Sequence, residues 1–200
     1  MSAPVKLEQF AGNGRMVTDN RAIYAKVPLP EKRRVALDIG AFTGEWTRLL
    51  AEDFRNVIAF EVRENSREKF RQNKPPNATI MDVGLGDRPG MVEFVLRGVP
   101  GGGRYAQHPG LGRQGEREIL PVMNLDSFNL DEVDLMKIDV DGFEKAVLYG
   151  GLETIWRNKP VIVIEIKFMS PYGKYDLLRL IDYERVCQIS PIDEVWVARG

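Results

Sequence analysis

At 200 residues, with 44% hydrophobic and 28% charged side chains, the chain suits one compact soluble domain with a substantial core. A formal net charge of −1 gives no overall pull toward a polyanion, and the single cysteine, Cys187, excludes an internal disulfide and a cysteine zinc cluster. Met1 to Phe10 lacks the apolar core of a signal peptide and no run approaches membrane-spanning length, so a cytoplasmic location is expected.

Residues 1–34 are mixed in character and close on Pro28, Pro30 and the basic cluster Lys32-Arg33-Arg34. Met16, Ile23, Tyr24 and Val27 can line one face of a short helix, which makes this segment an arm packed beside a sheet or a flap over a pocket. Val35-Ala36-Leu37-Asp38-Ile39 then reads as a buried strand that ends in Gly40 and Gly44. Trp46, Leu49, Leu50 and Phe54 follow at helical spacing. Strand, glycine turn and helix together are how open α/β sheets form a ligand crevice beyond the carboxyl end of the first strand.

Asp38 decides what enters that crevice. A dinucleotide fingerprint needs glycine where Asp38 stands, and Thr43 occupies the third glycine position; a P-loop is absent altogether. A carboxylate beside the cradle repels a pyrophosphate and suits a cation. S-adenosylmethionine is such a ligand, with a sulfonium, an ammonium, and a carboxylate for the helix N-terminus.

A second strand, Val57 to Phe60, ends at Glu61, 23 residues after Asp38. That is close to the roughly 20-residue offset at which an acid meets a ribose diol. A polar helix over Asn65 to Asn73 precedes Pro75-Pro76, and Ala78 to Met81 forms a third strand ending in Asp82, placed to accept from an adenine amino group or to cap a turn. The period then changes to alternation over Met91 to Leu96, with Ile119 to Met123 as a second candidate strand. The stretch between them, 98–117, is too glycine-rich for regular structure and long enough to be a lid or a binding loop, or disordered. It holds the only histidine, His108.

Val133 to Asp139 reads as a strand, Val140-Asp141-Gly142 as an acidic turn, and Phe143 to Leu148 as a helix. Strand alternation puts Lys137 and Asp139 on one side. Gly150-Gly151 interrupts the helix, and Val161 to Ile166 is the most continuous apolar run, hence a central strand. Ser170-Pro171 caps a helix reaching Ile181, and Arg185 to Ile189 with Glu194 to Ala198 forms a closing antiparallel hairpin.

In this order, Leu37-Asp38-Ile39-Gly40-Ala41-Phe42-Thr43-Gly44, Phe60-Glu61, Val83-Gly84-Leu85-Gly86-Asp87, Leu125-Asp126-Ser127-Phe128, the segment Leu135 to Glu144 and Pro160 to Glu165 resemble the FkbM family of S-adenosylmethionine-dependent methyltransferases. The resemblance covers residues 35–166, and Lys-Ile-Asp-Val-Asp-Gly-x-Glu at 137–144 is its most specific part. It implies a single-domain α/β class I methyltransferase fold over 35–200, Rossmann-like, with a seven-stranded mostly parallel sheet whose last strand is antiparallel. Residues 1–34 and 98–117 then become the acceptor-selecting arm and inserted loop. Two departures stand out: Val62 where the family commonly has proline, and Asp141 where it has glutamate.

The implied activity is O-methylation of a hydroxyl on a sugar or other small metabolite. Cofactor contact falls to Asp38, Gly40, Ala41, Phe42, Gly44, Glu61, Val62, Asp82, Val83 and Asp139. Asp139 is the first candidate base, Lys137 its orienting counter-charge, and His108 the alternative base. Asp139, Asp141 and Glu165 are conceivable Mg²⁺ ligands, but ion pairing explains them better, and no metal is assigned. No membrane partner is expected. Two further readings stay open, a nucleic-acid or protein methyltransferase and a non-catalytic nucleotide-binding module. The Asn/Asp-Pro-Pro-aromatic stretch of amino-methylating enzymes is missing after Asp139, and the intact Gly40, Gly44, Asp38 and Glu61 speak against a vestigial site.

Overall fold

The computed structural model describes residues 19–96, 103–105, 117–166 and 177–199. A seven-stranded sheet forms the centre. Its strands are β1 (Val35–Ile39), β2 (Asn56–Phe60), β3 (Ala78–Met81), β8 (Val133–Ile138), β9 (Val161–Glu165), β10 (Tyr183–Gln188) and β11 (Asp193–Ala198). The spatial order is β3-β2-β1-β8-β9-β11-β10. The first five strands pair in parallel, and β11 runs antiparallel to both β9 and β10. The mostly parallel sheet and its closing antiparallel hairpin agree with the sequence reading.

Alternation divides the core into two layers. Leu37, Ile39, Met136, Ile138, Ile162 and Ile164 join Val147 and Leu148 of α4 (Glu144–Gly150) and Ile155 of α5 (Leu152–Asn158) on one face. On the other, Ala36, Leu135, Val163 and Val195 meet Trp46, Leu49 and Leu50 of α2 (Glu45–Asp53). Parallel strands covered on both faces carry near-continuous apolar residues, and all six positions of β8 are buried. Tyr24, in the short helix α1 (Asn20–Tyr24), and Val27 belong to the second layer. Tyr24 meets Trp46 edge-to-face at 5.8 Å and donates to Asp53 at 2.9 Å. The described part of residues 1–34 therefore packs as an arm against α2; Met16 lies outside the described residues.

A second, four-stranded sheet corrects the reading of 98–117. It comprises β4 (Gly84–Leu85), β5 (Gly90–Leu96), β6 (Gly103–Tyr105) and β7 (Arg117–Met123), in the order β4-β7-β5-β6. Gly103–Tyr105 pairs antiparallel with β5, so regular structure does occur inside the glycine-rich stretch. Backbone pairing needs no side chain, and an antiparallel partner can impose an extended state that composition disfavours. His108 lies outside the described residues, as do most of 98–117 and Ser170-Pro171. Residues 177–180 are helical, in agreement with a helix that reaches Ile181.

α4 packs closely against the residues that flank β4 and β7 at Gly150, its last residue. A Cβ there would overlap the Gly86 carbonyl oxygen and lie 3.1 Å from the Asn124 Cβ. Helix propensity alone favours alanine over glycine by about 1 kcal/mol, but overpacking of a tight contact costs about 1–3 kcal/mol. Gly150→Ala is expected to lower stability in urea unfolding. A stability gain would show that this contact yields easily.

Candidate active site

β1 and β8 lie side by side in the sheet with Asp38 in register with Lys137. Both side chains point to the α2 face, where water does not reach: Asp38 is fully buried and Lys137 is 3% exposed. Thr47 Oγ1 of α2 donates to Asp38 Oδ2 at 2.5 Å, while Asp38 Oδ1 is buried with no hydrogen-bond partner among the described residues. Lys137 Nζ donates to Asp139 Oδ2 at 2.8 Å and sits 5.6 Å from the centre of the Trp46 ring. Burial pushes the Asp38 carboxyl up, against the opposing pull of Lys137 and Thr47. For Lys137, burial works downward, but Asp139 and Asp38 outweigh it and the ammonium is held above its ordinary value of 10.5. A raised base contributes stability that is fully present below 10.5 and is lost only as pH rises through the higher folded value. At neutral pH the ammonium therefore offsets the cost of ionising Asp38.

A cleft of ≈ 230 Å³ opens at the carboxyl ends of β1, β2 and β8. Gly40, Phe42, Glu61, Val62 and Asp139, all expected from the sequence, line it together. Gly40 has φ +85°, and a Cβ there would overlap the Asp139 carbonyl oxygen. The glycine is needed for the close approach of the β1 and β8 turns. Glu61 accepts from Phe42 N–H through Oε2 and from Arg63 N–H through Oε1, each at 2.8 Å. It thereby holds Phe42, a non-glycine residue at φ +51°, in a conformation that costs of order 1 kcal/mol or more when unsupported. Glu144 plays a similar part opposite, accepting from Gly142 N–H at 2.9 Å below the turn that carries Asp141 at φ +52°.

Other expected residues sit elsewhere. Asp38 and Lys137 lie behind the cleft. Ala41 packs with Ala59 and Phe70, and Gly44, at φ +79°, makes room for the Phe70 ring at the start of α2. Val83 packs on the main core. Asp82 lines a second cavity of ≈ 430 Å³, which shares Val62 and Arg63 with the cleft. Sequence reasoning missed Arg63, Ser66 and Phe94 as cleft residues, and it weighed Asp141, which also lines the cleft, only as a metal ligand. Phe94 was accessible from the alternation of β5, whereas Arg63 stands in the irregular link between β2 and α3 (Glu64–Gln72), where periodicity says nothing. Among the described residues no group of three His, Cys, Asp or Glu side chains is placed to hold a metal ion.

Residues 38–188 match the family described as Methyltransferase FkbM domain. The chain belongs to this family. The 2-O-methyltransferase NoeI of Sinorhizobium fredii is 24% identical over 182 residues, which cover 80% of this chain and 75% of NoeI. A solved FkbM methyltransferase from Methylobacillus flagellatus superposes with a TM-score of 0.59 at 17% identity, over 86% of this chain and 45% of its own. The chain thus spans less than half the length of that family member. The precorrin-6y C5,15-methyltransferase of Geobacter metallireducens gives a TM-score of 0.54 at 15% identity, over 90% and 87% of the two chains. These structural likenesses show the methyltransferase fold, and the seven-stranded sheet with its antiparallel β11 is that fold.

The buried charges make the first test of this site. Removing one partner of a buried pair costs about 3–5 kcal/mol, because the other charge is left uncompensated. Lys137→Met is expected to fall in that range by chemical denaturation. Adding Asp38→Asn to it should recover part of the loss, and strict additivity of the two changes would deny their coupling.

Proposed function

We propose that the cleft binds S-adenosylmethionine and that the protein methylates a hydroxyl on a sugar or other small metabolite. The observation that carries this reading is Glu61, a buried carboxylate on the cleft floor beside the Gly40 turn. Each of its oxygens holds one backbone N–H and has a second lone pair to offer, which suits a ribose diol. The donor fits in other respects too. Val62 and Arg63 join the cleft to the cavity that holds Asp82, so an adenosine can run from Glu61 toward Asp82 across Val62. The acidic lining suits a cationic ligand. The name of the NoeI relative, a 2-O-methyltransferase, favours an oxygen acceptor.

When bound, S-adenosylmethionine supplies an electrophilic methyl carbon whose bond to sulfur breaks as the acceptor oxygen bonds to it. This chain's part is alignment and proton handling. Asp139, at the cleft and 37% exposed, accepts the hydroxyl proton. Lys137 fixes the Asp139 carboxylate from behind and stays protonated throughout. Alignment of the acceptor with the methyl group supplies much of the acceleration.

Calorimetry is the test. S-adenosylmethionine should bind and NAD should not; the reverse preference sinks this assignment. Glu61→Ala is expected to weaken binding by about 1–3 kcal/mol, the range for losing hydrogen bonds to a charged group. Burial raises the Glu61 pKa from 4.5, against the N–H donors of Arg63 and Phe42. Ribose hydroxyls favour the ionised form, so affinity should decline as pH falls through this raised value, starting above 4.5. An affinity flat down to the ordinary carboxylate range would remove Glu61 from the diol.

With methyl transfer to a panel of sugars as readout, Asp139→Asn should keep donor affinity and lose turnover about 10²–10⁴-fold, the range for general-base loss. Unchanged turnover would pass the base role to another residue.

A further inference from the structure

Glu61 holds the backbone of Phe42 in place, but no described part of the core calls for a phenylalanine there. The residue stands at φ +51°, in the left-handed region that a bulky side chain rarely enters. Asparagine or glycine would take the same turn with less strain, and either would keep the N–H that donates to Glu61 Oε2. Packing does not offset the strain. Phe42 is 40% exposed, whereas Ile39 and Phe60, which also line the cleft, are buried. A costly backbone that presents an apolar ring to a cleft is a functional signal rather than a folding one.

The place of the ring along the cleft tells which part of a ligand it meets. On the proposed reading the ribose lies at Glu61, the base runs toward Asp82, and the methyl group has to reach an acceptor at Asp139. In S-adenosylmethionine the sulfur hangs from the ribose on the side away from the base. It therefore falls between Glu61 and Asp139. Phe42 stands in that interval: its N–H donates to Glu61, and Gly40, two residues earlier, abuts the Asp139 carbonyl. We infer that the Phe42 ring packs against the sulfur of the methyl donor and positions it relative to Asp139. The inference rests on the proposed use of S-adenosylmethionine. A ring contact favours a thioether sulfur and a sulfonium alike, so donor and demethylated product are both held. A fixed sulfur in turn fixes the line along which the methyl group leaves, which is the alignment an in-line displacement needs.

The experiment pairs urea unfolding with dissociation constants for S-adenosylmethionine, S-adenosylhomocysteine and adenosine. Phe42→Asn removes the ring and relieves the backbone, since asparagine tolerates the left-handed region. It should raise the urea midpoint and yet weaken both sulfur compounds about tenfold, the size of a lost sulfur–aromatic contact with its apolar burial. Adenosine carries the base and ribose without the sulfur, so its affinity should be the same in Phe42→Asn and in the unaltered chain. Phe42→Leu keeps the strain and an apolar side chain but loses the ring. Phe42→Tyr keeps the ring and should bind both sulfur compounds more tightly than Phe42→Leu does. A lower urea midpoint in Phe42→Asn would make the ring a packing residue. Equal weakening of adenosine would place its effect at the Glu61 turn, and unchanged affinity for the two sulfur compounds would put the ring outside the donor site. Each of these results overturns the inference while leaving donor binding by the full chain in place. If the full chain binds neither S-adenosylmethionine nor S-adenosylhomocysteine, the methyl-donor assignment itself fails.

Discussion

One ammonium group holds the centre of this structure. Lys137 stands in the middle of β8, a strand buried along its whole length, beside the fully buried Asp38 of β1. Neither charge is tolerable there alone, since desolvation of a single ion costs several kcal/mol. Paired in register, they let a parallel sheet carry a carboxylate to the end of its first strand. The same ammonium reaches forward to Asp139 and lies against Trp46, while Thr47 holds Asp38. Position and orientation of α2 are thereby coupled to the two strand ends that border the cleft.

The cleft itself is built from strained turns. Phe42 and Asp141 have positive φ without being glycine, and Gly40, Gly44 and Gly142 share that region of backbone space. Such conformations persist only where the surroundings over-determine them. Here carboxylates do so by accepting backbone N–H groups: Glu61 from Phe42 and Arg63, Glu144 from Gly142. Glu61 consequently has two duties. It fixes the turn above α2 before any ligand arrives, and on the proposed reading it spends its remaining lone pairs on the ribose. A ligand then meets a site already formed, and little ordering has to accompany binding.

The parts legible in the sequence were those whose signal is local. A strand, a glycine turn and an amphipathic helix lie within twenty residues at Val35 to Phe54, and the alternation that sets Lys137 beside Asp139 needs only three. The second sheet was not legible as a sheet. β4 is two residues long and pairs with β7, distant in sequence, while β6 is three residues long and sits among glycines. Gly44 shows a subtler limit. Its sequence position suggests ligand contact, yet the atom it avoids is in the Phe70 ring of α3. A glycine pattern reveals where a Cβ is forbidden, not which neighbour forbids it. Asp82 ends its strand as expected but lines the cavity that shares Val62 and Arg63 with the cleft.

On the proposed reading, donor and acceptor are served by different strands. β2 ends at Glu61 in the cleft and β3 at Asp82 in the second cavity, while β8 ends on the other flank of Gly40 with Asp139. Gly40 is the point where the flanks touch, through the space that the Asp139 carbonyl takes in place of a Cβ. On the proposed reading, the carboxylate at the β8 end must face a solvent-borne hydroxyl yet remain fixed, and these demands conflict for a side chain that is 37% exposed. The ion pair resolves the conflict. It anchors Oδ2 from the buried side, so that on the proposed reading Oδ1 is the oxygen that meets the acceptor. Its geometry is then set by the sheet rather than by a loop. On the proposed reading, the precision that an in-line displacement demands is supplied by the register of β1 against β8, the same register that sets Asp38 beside Lys137.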